Sequence, residues 1–272
     1  MRSLPSGRVD RDPERTGWLT GHVYAHRGLH GTLPDGRMLA ENSPGAIAAA
    51  AERGLGVECD VQRSADDQAM VFHDWELDRL TDERGPVSKR TAAQLAAIPL
   101  AGSGETIIPL AEMLERIAGR VPVLVEIKSR ASVPHAPLCR AVSDAIGRMR
   151  AGNVAVMSFD PRVGAWFARF APDIVRGLIV TEEGERGWQG RLKRSLAMRH
   201  ARPDFLAVDI RDLPSAFAAR WRASGVPVLS WTVRSPALRQ RAALYADAPI
   251  AEGTGLLPPE LPPESPQYGA GT

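Results

Sequence analysis

Eight short β-rich runs predict an α/β chain folded as a (β/α)₈ TIM barrel. They alternate with Ala-, Leu- and Arg-rich stretches of helical spacing, and no Gly-rich dinucleotide fingerprint follows the first run. The runs are HVYAHR (22–27), GVECDV (56–61), AMVFHD (69–74), VPVLVEIK (121–128), NVAVMSF (153–159), VRGLIV (175–180), FLAVDI (205–210) and VPVLSWTV (226–233). Most are dense in Val, Ile and Leu without strict alternation, the pattern of parallel strands covered on both faces. A doubly wound open sheet is the rival architecture, and the missing fingerprint weighs against it.

The elements follow in order. A polar lead (1–21) precedes the first run. SPGAIAAAAERG then reads as a helix, with Ser43 as N-cap, Pro44 in the first turn and Gly54 as the stop. Only seven residues, QRSADDQ, separate GVECDV from AMVFHD, fewer than a crossover helix requires. The barrel is therefore expected to be irregular between its second and third strands; an extended return and a local hairpin both satisfy that gap. PLAEMLERIAG and APLCRAVSDAIGRMR read as later helices. Residues 22–255 are assigned to a single barrel domain and 256–272 to a Pro/Gly-rich tail expected to be loosely packed or disordered.

Composition narrows the function. Net charge is +2 over 272 residues, which gives no reason to expect nucleic acid or an anionic membrane surface as partner. No run approaches the roughly 20 apolar residues of a membrane helix, and the N-terminus lacks a signal-peptide core. The two cysteines, Cys59 and Cys139, are too few for a disulfide framework; reduced thiols in a cytoplasmic protein are the expectation.

In parallel barrels the chemistry sits at the C-terminal ends of the strands. There the sequence places His26-Arg27, Glu58 and Asp60, His73-Asp74, Glu126 and Lys128, Ser158-Phe159 and Trp231, with Glu41 and Asn42 on the loop after the first strand. Each alone has an ordinary structural reading, as a solvated or paired acid, a hydrogen-bonded core histidine or a packed tryptophan. Together they are hard to explain that way, because burying so many charges without partners costs several kcal/mol per ion.

Side chains alternate along a strand, so Glu58 and Asp60 share a face and Cys59 takes the other. Two carboxylates roughly 6–7 Å apart repel unless water or a cation intervenes. With Glu126 they form a hard oxygen set that suits Mg²⁺ or Ca²⁺ better than zinc. Arg27 and Lys128 are suited to hold a phosphate, and two histidines supply a general base and a general acid near neutral pH. A metal, cations and two histidines around one anion describe phosphodiester cleavage.

These residues also carry a resemblance. AHRG (25–28), EN followed by Ser (41–43), ECD (58–60), HD (73–74) and EIK (126–128), with MSFD (157–160) and SWTV (230–233), resemble the signature of the glycerophosphodiester phosphodiesterases, over about residues 22 to 255. The resemblance implies a distorted TIM barrel that cuts glycerophosphodiesters into sn-glycerol 3-phosphate and an alcohol with one divalent cation. It implies acid and base roles for His26 and His73, phosphate binding by Arg27, and metal ligation by Glu58, Asp60 and Glu126. Lys128 would meet developing negative charge, Glu41 would support Arg27 and the metal shell, and Trp231 would contact the glycerol or the neighbouring wall.

Two departures stand out. The family often has Asn after WTV, where this chain has Arg234, and a Thr-Asp pair before Pro, where it reads PIAEGTG (249–255). Both bear on substrate preference more than on the reaction. Two other readings stay open at this stage: a phospholipase D-like activity on lysophospholipids or sphingolipids, and a silent glycerophosphodiester-binding barrel. The nucleophile, water or the substrate 2-hydroxyl, and the division of labour between the histidines are also open.

Overall fold

The computed structural model describes residues 13–33, 36–149 and 152–257. The first twelve residues of the lead and residues 258–272 of the tail lie outside the described residues. The strands are β1 (Tyr24–Ala25), β2 (Gly31–Thr32), β3 (Met38–Leu39), β4 (Gly56–Arg63), β5 (Ala69–Val71) and β6 (Val123–Ile127), then β7 (Val154–Ser158), β8 (Val175–Val180), β9 (Phe205–Asp209), β10 (Val228–Val233) and β11 (Ala248–Ala251). The helices are the single turn α1 (Pro13–Thr16), then α2 (Pro44–Glu52), α3 (Ala92–Ala96), α4 (Leu110–Ile117), α5 (Ala136–Gly147), α6 (Pro161–Phe170), α7 (Trp188–Ala201), α8 (Ala216–Ala223) and α9 (Pro236–Tyr245).

Eight parallel strands close into the predicted TIM barrel, in the order β1-β11-β10-β9-β8-β7-β6-β4, with β4 returning to β1. Two strand expectations are corrected. AMVFHD is not the third barrel strand: its first half is β5, antiparallel to β4 in the register Val61↔Val71, Gln62↔Met70, Arg63↔Ala69. Seven residues cannot carry a crossover, so the chain turns back as a hairpin and leaves the barrel. The eighth barrel strand is instead β11, which pairs in parallel with both β1 and β10. It has only four residues, one of them Pro249, and proline in a run normally argues against a strand.

The excursion between β4 and β6 builds a satellite core of Met70, Phe72, Leu77, Val87, Leu95, Ile98, Leu100 and Ile107. Local sequence explains the helix starts. Ser43, Asp160 and Ser235 each cap a helix whose first residue is proline, accepting a backbone N–H at the terminus.

Alternation along the strands separates two cores. Val57, Cys59, Val61, Val123, Val125 and Ile127 face the helices, where Cys139 also packs, and both thiols are free and buried. Tyr24, Leu124, Ala155, Met157, Val175, Ile179, Phe205, Ala207, Leu229 and Ile250 fill the barrel interior, with Leu19 and Trp18 from the chain preceding β1 packed against them. Gly177 makes room for the Phe205 ring: a Cβ there would lie 2.3 Å from Phe205 Cζ. Gly177→Ala is therefore expected to lower stability by about 1–3 kcal/mol through overpacking, read as a lower urea midpoint at unchanged slope. A neutral midpoint would mean that the Phe205 ring has room to withdraw.

Candidate active site

One end of the barrel interior is polar. Glu58 and Asp60, both 1% exposed, point inward from β4, and Glu126 joins them from β6, which pairs Asp60 with Glu126 in register. One carboxylate oxygen from each lies within 4.8 Å of the others. Cys59, between them, faces the helices, as strand alternation requires.

Cations and amides surround this trio unevenly. Lys128 Nζ lies 2.6 Å from Glu126 Oε1 and 2.8 Å from Asp60 Oδ1. Arg27 Nε stands 3.3 Å from Asp60, and the buried Asn42 clamps Asp60 by donating from Nδ2 (3.0 Å) and accepting the Asp60 N–H (3.2 Å). Among the described residues, Glu58 accepts only the Arg27 backbone N–H, at 3.0 Å.

The ionisation of the three acids follows from these neighbours. Burial first, then the charges of Asp60 and Glu126, push the Glu58 carboxyl well above its usual range. Burial raises Glu126 as well, against the pull of Lys128. Asp60 goes the other way: burial opposes ionisation, but Lys128, His73 and Arg27 together hold it well below the usual range. A buried acid with no cationic side chain bonded to it among the described residues, beside two further acids, is a site that fits a cation.

The loop after β1 is shaped to deliver Arg27. Both Arg27 (φ 57°) and Gly28 (φ 77°) are left-handed, and a Cβ on Gly28 would lie 2.7 Å from the Ala46 carbonyl carbon of α2. Glycine is required where the two backbones meet. Arg27 then donates to Glu41 Oε1 at 2.7 Å. Glu41 is also held by Arg79, which bridges it to Asp74.

Each histidine presents Nδ1 to a carboxylate. His73 Nδ1 is 2.5 Å from Asp74 Oδ1, and Gln62 fixes that segment by donating to the carbonyls of His73 and Asp74. His26 Nδ1 is hydrogen-bonded to Glu252 Oε2. Burial lowers both imidazole pKa values, against the bonded carboxylates, and both rings feel the charge of Asp60. Trp231 closes another part of the wall: its indole donates to the Ala207 carbonyl at 2.9 Å, and its ring meets the half-exposed Phe159 edge-on at 5.3 Å.

The structure thus gathers Glu58, Asp60, Glu126, Arg27, Lys128 and Glu41 into one network, with His26 and His73 in electrostatic reach of Asp60. Sequence reading missed Glu252, Arg79 and the clamp made by Asn42. The PIAEGTG departure was the one signal pointing at Glu252.

Comparison with known proteins places the chain in a family. Residues 26–251 match the sequence model of the Glycerophosphoryl diester phosphodiesterase family. A glycerophosphodiester phosphodiesterase of Bacillus altitudinis is 30% identical over 168 residues, 59% of this chain and 66% of that protein, so the alignment spans just under two thirds of the relative. A phosphodiesterase from Oleispira antarctica, solved in complex with the product sn-glycerol-3-phosphate, superposes with a TM-score of 0.72 at 24% identity, covering 86% of this chain and 93% of that one. The glycerophosphodiester phosphodiesterase of Thermotoga maritima gives 0.66 at 23% identity over 84% and 93%. The structural matches show the shared barrel, and the family match runs from the residue after β1 to the last residue of β11, most of the chain: this chain belongs to the glycerophosphoryl diester phosphodiesterase family.

Proposed function

We propose that the chain hydrolyses glycerophosphodiesters to sn-glycerol 3-phosphate and an alcohol, with His26 and His73 as the acid–base pair around a divalent-cation site. The observation that carries this reading is the pairing of two Nδ1-anchored histidines with a buried three-carboxylate cluster. A neutral imidazole whose Nδ1–H is held by a carboxylate keeps its Nε2 lone pair for proton transfer.

Glu58, Asp60 and Glu126 would hold the cation, Mg²⁺ or Ca²⁺ by their hard oxygens, which supplies polarisation of a non-bridging phosphoryl oxygen. Arg27 offers a planar guanidinium to the phosphate, steadied by Glu41. Lys128 places a fixed positive charge where negative charge develops. Glu252, itself held by Arg234 at 2.6 Å, orients His26, and Asp74, held by Arg79, orients His73. Trp231 and Phe159 form an aromatic wall that suits the carbon face of glycerol.

The lysophospholipid reading needs an apolar rim, and the side chains that would build one are engaged elsewhere. Leu29 is buried, Trp166 packs on the helical layer beside Phe167, and the Arg130 guanidinium covers the Trp75 ring at 4.4 Å. Among the described residues, no helix is long and apolar enough to cross a membrane.

The test is purified protein with glycerophosphocholine or lysophosphatidylcholine, in EDTA and after Mg²⁺ or Ca²⁺ add-back. Release of glycerol 3-phosphate from glycerophosphocholine, lost in EDTA and restored by cation, is expected. Preferred turnover of the lysolipid, or ligand binding with no turnover under either cation, would replace this reading with one of its rivals.

A further inference from the structure

Beside the acidic trio lies a second donor group of different chemistry. His26, His30 and Glu252 each place one ligand atom within 4.8 Å of the other two. The fold explains why they meet. β1 and β11 run parallel with Ala25 opposite Ala251, and the His26 N–H donates to the Ala251 carbonyl at 2.8 Å, so the next residues of both strands emerge side by side. The left-handed turn at Arg27 and Gly28 then brings His30 back beside them.

Three features set this group apart from an ordinary ion pair. Arg234 Nε donates to Glu252 Oε1 at 2.6 Å, leaving Oε2 to face both imidazoles. An outer hydrogen bond of that kind is how carboxylate ligands are aimed at a metal. His30 Nε2 is buried, stands 3.6 Å from Oε2 and has no hydrogen-bond partner among the described residues. Finally, two imidazoles and one carboxylate make a borderline donor set that favours zinc-class ions, whereas the all-oxygen trio favours hard cations. The side chains are 12%, 25% and 21% exposed, so the group borders solvent.

We propose that His26, His30 and Glu252 form an inhibitory site for a zinc-class divalent cation, separate from the Glu58–Asp60–Glu126 site. The inhibition, though not the binding, rests on the reading of His26 as an acid–base group. A neutral imidazole carries one proton. A cation on Nδ1 takes the lone pair there and leaves the proton on Nε2, so the ring can no longer accept one. The two sites share no ligand, so raising Mg²⁺ or Ca²⁺ does not relieve the inhibition.

The experiment titrates Zn²⁺ into the full-length enzyme saturated with Mg²⁺, following heat of binding and turnover in parallel. One Zn²⁺ per chain, with turnover falling about tenfold or more and not recovering in excess Mg²⁺, is expected. His30→Ala should keep basal turnover while weakening Zn²⁺ binding at least about tenfold, the scale seen even for loss of an outer-sphere partner. His30→Asn, read by the same calorimetry, serves if the alanine variant is poorly folded by circular dichroism. Zn²⁺ binding that depends on His30 but leaves turnover intact supports the site and counts against His26 as a catalytic group. Inhibition that excess Mg²⁺ relieves, or that is equal in both His30 variants, places Zn²⁺ in the acidic trio and overturns the proposal.

Discussion

Alanine at His73, and separately at His26, is expected to lower kcat by about 10²–10⁴-fold with the fold intact, the scale of losing a positioned acid or base. Proton transfer is an event of the transition state, so the loss should fall on kcat far more than on KM. Neither substitution strips the core. The His73 side chain is 29% exposed, and without His26 the Glu252 carboxylate keeps its Arg234 partner. Far-UV circular dichroism and thermal melts therefore serve as the control. The pH–rate profile adds a finer readout: the variant lacking the base should lose the acidic limb and the variant lacking the acid the alkaline limb. That experiment assigns the two roles, which the matching Nδ1–carboxylate bonds leave symmetric. Near-wild-type kcat in either variant would falsify the participation of that histidine.

The parts of this site that were legible in the sequence are those governed by short-range periodicity. Glu58 and Asp60 share the inner face because side chains two apart on a strand must, and the same rule sends Cys59 into the helical layer. Ser43 and Pro44 announce α2 because a cap and a proline satisfy what a helix start leaves unpaired. The misses have a different origin. AMVFHD has the composition of a strand, but composition does not say which neighbour a strand takes; the short QRSADDQ connection decides that, and it selected the hairpin. β11 is hidden by its proline and its length. Its place is set by the need to close the sheet between β1 and β10, a requirement no local window contains. Glu252 inherits that invisibility, since its partner His26 lies 226 positions away. Arg79 sits in none of the motifs, and its bridge from Asp74 to Glu41 exists only once the excursion has folded back over the barrel mouth.

The carboxylate trio yields the other large effect, with opposite signs for stability and activity. Glu58 and Glu126 are raised above the ordinary glutamate value of 4.5, so without a cation the folded chain binds more protons than the unfolded one as pH climbs past that value. Stability then falls with rising pH through the raised folded values. Asp60 has the opposite sign: its lowered pKa contributes stability present above its ordinary 3.8 and lost only as pH falls below it, outside this window. In EDTA the wild-type Tm should therefore fall relative to that of Glu58→Gln as pH rises past 4.5, a comparison in which the opposite contribution of the lowered imidazoles of His26 and His73 cancels. Mg²⁺ or Ca²⁺ should offset the fall, because a ligand of the native state alone stabilises it by mass action. Glu58→Gln keeps the side-chain volume and an oxygen to accept the Arg27 N–H, and removes one buried charge. In EDTA, at a pH above the raised Glu58 value, it should melt above wild type. Relief of even about 1 kcal/mol corresponds to about 2–4 °C for a chain of this size. The same variant should lose both the cation-induced rise in Tm and the cation-dependent turnover, since its neutral amide is a poor ligand for a hard ion. A variant that melts below wild type in EDTA, or that gains as much from the cation as wild type does, would take Glu58 out of the cation site and leave its burial to be explained by packing alone.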